Sequence, residues 1–92
     1  MATWIKTDGT TTEVHPKDGR AFTLEELQAF VGGYIELVRI DGERNLWLNE
    51  EGKLDGLPLN VKATKLTHGI IAEWDFIVGD VLVATPEEFR RW

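Results

Sequence analysis

The hydrophobic and polar positions of this chain fall into short blocks, and the first two blocks predict a β-hairpin. Residues 3–7 and 11–15 are rich in β-forming side chains. They flank Asp8-Gly9, a pair that favours a tight turn between two strands. Pro16 and the polar residues after it predict the end of the second strand.

The clearest helical signal begins at Thr23. Its hydroxyl can accept a hydrogen bond from the amide of Glu26, and the Glu26 carboxylate can accept one in return, which is a capping box. Apolar side chains then recur at helical spacing, at Leu24, Leu27, Phe30 and Val31. Gly32-Gly33 predicts the end of this amphipathic helix, because glycine readily adopts a left-handed cap.

A second hairpin is predicted in the middle of the chain. The turn-forming pair Asp41-Gly42 separates two β-prone runs, residues 34–40 and 45–49. Side chains alternate across a strand, so the second run should place its two leucines on one side of the sheet and Trp47 on the other.

The last third of the chain gives weaker signals. Asn60 can cap a short helix that runs to about residue 67. Residues 70–84 are apolar and β-prone, and the pattern is equally consistent with one bent strand and with two strands that meet at a tight turn. Thr85-Pro86 predicts a short terminal helix. Arg90 and Arg91 would lie near its carboxyl end, and Trp92 is the last residue.

The predicted order is therefore β-β-α-β-β-α-β with a short C-terminal helix. Such an order is typical of an α+β domain with a mostly antiparallel sheet and both helices packed on one face. A chain of 92 residues is long enough for one core, so residues 1–92 are expected to form a single domain.

Composition narrows the list of partners. Sixteen acidic and ten basic side chains give a net charge of −6, which repels the phosphates of duplex nucleic acid, so we expect no direct binding to it. No apolar run approaches the ~20 residues of a membrane span. The first residues have neither the basic nor the apolar region of a signal peptide. We therefore expect a cytoplasmic protein without a membrane association.

Catalytic chemistry has few candidates. His15 and His68 are the only histidines, and each lies at a predicted element end, where a surface histidine needs no function. The chain contains no serine and no cysteine, so it lacks the common nucleophiles of acyl transfer and all thiolate metal ligands. The acids between 41 and 55 lack the alternating spacing of a calcium loop. We expect no enzymatic activity, no cofactor and no metal.

Four tryptophans are many for so short a chain. Exposed tryptophan is a common anchor for a binding partner. Trp47 points away from the leucines of its strand, and two interpretations stay open: it is an exposed anchor, or it packs under the terminal helix. Trp4 and Trp92 lie near the two ends of the chain.

Three segments in the chain together resemble one protein family. They are VGGYIE at 31–36, NEEGKLDGLPLN at 49–60 and IVGDVLV at 77–83. The family is the domain of unknown function 3846, found mainly in small proteins of phages, plasmids and other mobile elements. The resemblance covers roughly residues 31–83. It implies an origin in a mobile element and does not imply an activity.

The segment 49–60 is the most specific of the three, and its side chains form two sets. Leu54, Leu57 and Leu59 are expected to pin the loop to the core. Glu50, Glu51 and Lys53 have no evident structural duty, and function concentrates on loops held by a rigid scaffold. The predicted binding site comprises Asn49, Glu50, Glu51, Gly52, Lys53, Asn60 and Trp47.

Two functions fit these observations. The first is a non-enzymatic accessory protein, a counter-defence inhibitor that binds a host protein through an acidic surface with aromatic anchors. The alternative is a small-molecule binder, such as a sponge for a signalling nucleotide. Net acidity favours the first, because an anionic ligand needs basic side chains that converge against the overall field. We also expect a homodimer, since a small domain with open sheet edges is stabilised by covering them.

Overall fold

The structure, a computed structural model, describes residues 2–89. Within this range the chain forms β1 (Ala2–Ile5), β2 (Thr11–Val14), α1 (Leu24–Val31), β3 (Ile35–Arg39), β4 (Asn45–Asn49), α2 (Val61–Leu66), β5 (Val81–Ala84) and a 3₁₀ turn (Pro86–Glu88). The α+β class and the predicted order of elements are confirmed. Neither of these helices has the length or the apolar character needed to cross a membrane.

The five strands form one antiparallel sheet in the order β2-β1-β5-β4-β3. The two predicted hairpins are therefore the two halves of the sheet, and β5 joins them at the centre. β5 pairs Leu82 with Trp4 of β1 and with Trp47 of β4. The closing strand of the chain thus unites two local hairpins into one domain, and it leaves β2 and β3 as the edges.

The two helices cover opposite faces of this sheet, which corrects the expectation that both lie on one face. One apolar cluster contains Leu46, Leu48 and Ala63 of α2, and the other contains Trp47 and Leu27 of α1. Neighbouring residues of a strand point to opposite faces, so these clusters lie on either side of β4. Every residue of β4 and β5 is buried, and only a layer on each face can bury both sets of side chains.

The local signals at the helix ends are confirmed. The amide of Glu26 donates to the Thr23 hydroxyl at 3.2 Å, and the Glu26 carboxylate accepts from the amide of Thr23 at 3.1 Å. Gly32 ends α1 in the left-handed region, with a φ of 82°. Asn60 caps α2, and Thr67 follows the last turn of that helix, as the sequence predicts.

Residues 70–84 form neither one bent strand nor two strands, which corrects the prediction for this region. Only Val81–Ala84 is a strand, and Val78 makes a single isolated bridge with Leu59. Residues 70–76 close into local turns, and the amides of Ile70 and Ile71 both donate to the carbonyl of Thr67. Ile71 packs on the apolar cluster that contains Ile77 and Ala63 of α2, so the segment covers this part of the sheet as a loop. The predicted terminal helix is a 3₁₀ turn, and Arg90, Arg91 and Trp92 lie outside the described residues.

Candidate functional site

Half of the predicted site is structural. Asn60 is fully buried, its side-chain amide donates to the carbonyls of Ile5 and Gly79 at 3.0 and 2.9 Å, and its side-chain oxygen accepts from the amide of Ala63. Asn49 is also buried, and its side-chain amide donates to the carbonyl of Val31. These two asparagines join distant segments through the core, so both have a structural role.

The glycine of the same segment is part of the packing. Gly52 is buried, and a Cβ atom added there would lie 2.9 Å from a methyl group of Val78. At Gly79 the φ of +78° already favours glycine, and an added Cβ would lie 2.8 Å from Leu57. The segments 49–60 and 77–83 therefore pack directly against each other. This close approach leaves no room for a side chain at Gly52 or Gly79.

Of the three leucines expected to anchor the loop, only Leu57 does so. Its side chain is half-buried and lies against Gly79, whereas Leu54 is 85% exposed and Leu59 is about half exposed. The loop is held instead by its own backbone. The amides of Gly52 and Leu57 donate to the carbonyls of Asn49 and Gly52. A loop fixed in this way can present an apolar side chain to solvent.

Trp47 is buried, with 2% of its surface exposed. Its ring lies 5.7 Å from the ring of Phe89 in an edge-to-face contact. Of the two interpretations left open by the sequence, the packed one is correct: Trp47 lies under the segment that follows the 3₁₀ turn. It is not an anchor for a partner.

The remaining residues of the predicted site, Glu50, Glu51 and Lys53, are exposed, and two of them line a cleft of ≈ 190 Å³ between the loop 50–56 and the segment 70–77. We call this the acidic cleft. The lining residues used below are Glu36, Glu50, Lys53, Leu54, Asp75 and Phe76. Its inner wall is apolar, with Val38, Leu48 and Ile77. Three carboxylates and a single ammonium are the charged groups of this lining.

Lys53 bridges the two walls of the acidic cleft. Its ammonium forms an ion pair with the carboxylate of Asp75 and lies 4.6 Å from the centre of the Phe76 ring. The Lys53 hydrogen bond, helped by one from the amide of Phe76, lowers the pKa of Asp75 below its usual value. Lys53 therefore does have a structural duty, which corrects the interpretation of that residue from sequence.

Large apolar side chains are exposed on both sides of the acidic cleft. Leu54 lies on one wall, Phe76 lies on the other, and Trp74 on the same segment as Phe76 is 81% exposed. Trp74 was not predicted as an exposed side chain, because the composition of residues 70–84 is that of a β-strand. The signal was present, since Glu73 and Asp75 interrupt an otherwise apolar run on both sides of Trp74.

The other candidate features have ordinary surroundings. His15 and His68 are exposed at element ends, as expected, and His15 lies 3.2 Å from the carboxylate of Glu13. A larger, open depression of ≈ 510 Å³ lies beside α1. One of its acids, Glu26, already accepts from the amides of Lys17 and Thr23. Within residues 2–89, no three histidine, aspartate or glutamate side chains lie close enough together to hold a metal ion.

The fold and its surface define an α+β domain with an acidic cleft between two loops. The chain belongs to the family described as Domain of unknown function (DUF3846), which it matches over residues 4–90. The match is longer than the 31–83 on which the resemblance rested, and it includes β2, α1 and the second half of β1. Comparisons with curated proteins and with solved structures find no match.

Proposed function

We propose that this protein is a non-enzymatic binding protein that holds a host protein against its acidic cleft. The observation that carries the proposal is the exposure of Leu54 and Trp74 beside a cleft that holds three carboxylates and one ammonium. Exposed apolar side chains grouped in this way, with a polar rim, are typical of protein interaction sites.

The aromatic and apolar groups would supply most of the binding energy. Tryptophan is among the side chains that most often dominate an interface, because it buries a large rigid surface. Trp74 and Leu54 stand on loops fixed by internal hydrogen bonds, including that from the amide of Asp75 to the carbonyl of Ala72. Loops already held in place lose little conformational entropy on binding.

The charges of the cleft select the partner. Glu36, Glu50 and Asp75 outnumber Lys53, which is already paired with Asp75. A partner surface rich in lysine or arginine would complement this potential and would be drawn to it at long range. The net charge of −6 acts in the same direction. Binding should therefore weaken as salt is added.

The biological setting extends the proposal further. The resemblance that places the chain in this family also implies an origin in a phage or another mobile element, and such elements benefit from blocking a host defence component. We propose that the bound protein is such a component, that binding inhibits it, and that the encounter takes place in the host cytoplasm.

A small ligand in the acidic cleft has less support from the geometry than a protein partner. Pockets for drug-sized ligands have volumes of about 300–1,000 Å³, and the acidic cleft has ≈ 190 Å³. An anionic nucleotide would also meet three carboxylates, and the single ammonium there is engaged with Asp75.

The test is a capture experiment with matched variants. Tagged wild-type protein and two double variants are incubated with a lysate of the natural host, and the captured protein is then purified for affinity measurements. The site variant is Leu54→Ser with Trp74→Ser. The control is Leu59→Ser with Val61→Ser, which changes two exposed apolar side chains outside the cleft. Equal unfolding midpoints of the variants show that the folds are intact.

We expect the wild type and the control to bind the same protein with similar Kd values and the site variant to bind at least about tenfold more weakly, as for loss of an interface anchor. Inhibition of the captured protein's own activity would support the counter-defence proposal. Unchanged affinity of the site variant would place the interface elsewhere on the molecule.

A further inference from the structure

The backbone of β3 is open along its outer edge. In the β3–β4 pair, the amide of Glu50 donates to the carbonyl of Tyr34, and the amide of Ile40 donates to the carbonyl of Arg44. In an antiparallel pair, every second residue of a strand is hydrogen-bonded to the neighbouring strand through its backbone. The backbone amides and carbonyls of Glu36 and Val38 therefore also face β4. The backbone groups of Ile35, Leu37 and Arg39 therefore point away from the sheet, and no hydrogen bond to them exists among residues 2–89.

The two edges of the sheet differ in their side chains. On β2, Thr11, Thr12 and Glu13 are all exposed and polar. On β3, Leu37 is 43% exposed, and the charged residues Glu36 and Arg39 of the same strand are exposed as well. Neither edge strand has a bulge or a proline in its pairing register. What distinguishes β3 is its exposed leucine and its position beside the acidic cleft, so of the two edges it is the one at which an added strand would reach that cleft.

We propose that β3 accepts an extended segment of the partner as a sixth strand, and that this segment carries basic side chains at alternate positions. The inference rests on the proposed function, because it specifies how the partner meets the acidic cleft. Strand addition supplies affinity through backbone hydrogen bonds, and alternate side chains supply specificity.

The alternation follows from the two faces of β3. Glu36 and Val38 lie on the face of the acidic cleft, together with Glu50 and Asp75. Leu37 is paired with Trp47 and therefore lies on the opposite face. Side chains of an added strand stand about 5 Å from their neighbours on β3. Every second residue of the segment would thus meet the carboxylates, and the residues between would meet Leu37.

A second copy of this chain fits the same edge less well. If two copies of β3 paired about a two-fold axis at Glu36, the Glu36 carboxylates of the two copies would lie opposite each other. If the axis lay at Leu37, Glu36 of each copy would lie opposite Val38 of the other, which offers no counter-charge. Either arrangement also brings two acidic clefts and two net charges of −6 together. Charge complementarity therefore favours a foreign basic segment over the homodimer expected from the sequence, and the homodimer is an outcome of the test.

The test uses a short synthetic peptide that alternates lysine and valine, with an alternating glutamate and valine peptide as the control. Amide hydrogen exchange of the full chain is followed residue by residue, and Kd is obtained by titration. We expect the lysine peptide to bind and to slow exchange at Ile35, Leu37 and Arg39 at least about tenfold. The glutamate peptide should not bind.

Two proline variants separate strand addition from simple charge attraction. Leu37→Pro removes an outward amide of β3 while the bonds between β3 and β4 remain, and Leu37→Ala keeps that amide. Glu13→Pro makes the equivalent change on β2. The backbone bonds to β1 are made by Thr12 and Val14, so the amide of Glu13 between them points outward. We expect only Leu37→Pro to abolish binding, with the folds checked by their unfolding midpoints.

The proposal is overturned if Leu37→Pro binds the lysine peptide as the wild type does. If Glu50→Gln then weakens that binding, the proposed function stands and only strand addition fails. The proposal is likewise overturned if the glutamate peptide binds equally well or if neither peptide binds. A dimer mass, with the same three amides protected in the absence of peptide, would assign the edge to a second copy.

Discussion

At the scale of single residues, the side chain of Asn60 connects three separate parts of the structure. Its side chain caps α2 and holds the carbonyls of Ile5 and Gly79, which belong to the first hairpin and to the approach to β5. Both carbonyls are remote from Asn60 in sequence. One asparagine thereby fixes α2, β1 and β5 in relation to one another.

Changing Asn60 to alanine should therefore cost about 3 kcal/mol or more of unfolding free energy. The change removes a helix cap, worth about 1 kcal/mol, and leaves two carbonyls without their partner at about 1–3 kcal/mol each. Thr23→Ala is the matched control, because it removes a cap alone and should cost about 1 kcal/mol. Denaturant unfolding measures both. Equal losses for the two variants would show that the contacts to Ile5 and Gly79 contribute nothing.

The leucines of the same segment make a second prediction at this scale. Leu57→Ala should cost about 2 kcal/mol, at the lower end for buried leucines because the side chain is only half-buried. Leu54→Ala should change stability by less than about 0.5 kcal/mol, as for an exposed position. Leu54→Ala should nevertheless weaken binding to the partner. A larger stability loss for Leu54→Ala than for Leu57→Ala would reverse the assignment of anchor and contact.

At the scale of elements, Lys53 links the two cleft loops through its ion pair with Asp75 and its contact with the Phe76 ring. Lys53 and Asp75 join loops that have no paired strand between them. The folded-state pKa of Asp75 is lowered, so the pair stabilises the fold above the ordinary pKa of aspartate, and this contribution is lost as the pH falls through the folded-state value. The contribution of the ion pair to stability should therefore be lost at about pH 4 and below.

The pair can be tested by titrating the Asp75 carboxyl by NMR in the wild type and in Lys53→Gln. We expect the pKa of Asp75 to be below its usual value in the wild type and to rise in the variant, because the ammonium that stabilises the carboxylate is gone. The stability loss of Lys53→Gln should be at most about 1 kcal/mol at neutral pH and should vanish at low pH. Lys62→Gln is the control, since Lys62 forms no ion pair among residues 2–89. An Asp75 pKa that is the same in both proteins would contradict the account.

Some features of the helices, strands and loops could be predicted from the sequence, and others could not. The capping box of α1 spans four residues, and the two hairpins need only a turn between neighbouring strands, so these local features were predictable. The segment 70–76 was not, because apolar residues that cover a sheet as a loop have the same composition as a strand. The faces of the helices and the burial of Trp47 depend on contacts with Phe89 and with β5, which are remote in sequence.

At the scale of the whole molecule, the sheet is covered on both faces, and the surface that we propose to be functional lies at one end of it. The β3 edge and the acidic cleft are adjacent, because Glu36 and Val38 belong to both. The buried residues of the predicted site, such as Asn49 and Gly52, hold this end of the molecule together. Its exposed residues, such as Glu50 and Lys53, form the surface there. Glu50 and Lys53 of the predicted site line the acidic cleft, and its second wall, with Asp75 and Phe76, is brought there only by tertiary folding.

We propose that the end of the molecule with the β3 edge and the acidic cleft receives a protein partner. The most direct measurement is the amide hydrogen-exchange footprint of the chain alone and in complex with the protein captured from the host. We expect slower exchange in residues 35–39, 50–56 and 70–76, and unchanged exchange in residues 11–14 on the opposite edge. Protection confined to β2 or to the depression beside α1, with residues 50–56 and 70–76 unaffected, would contradict the claim.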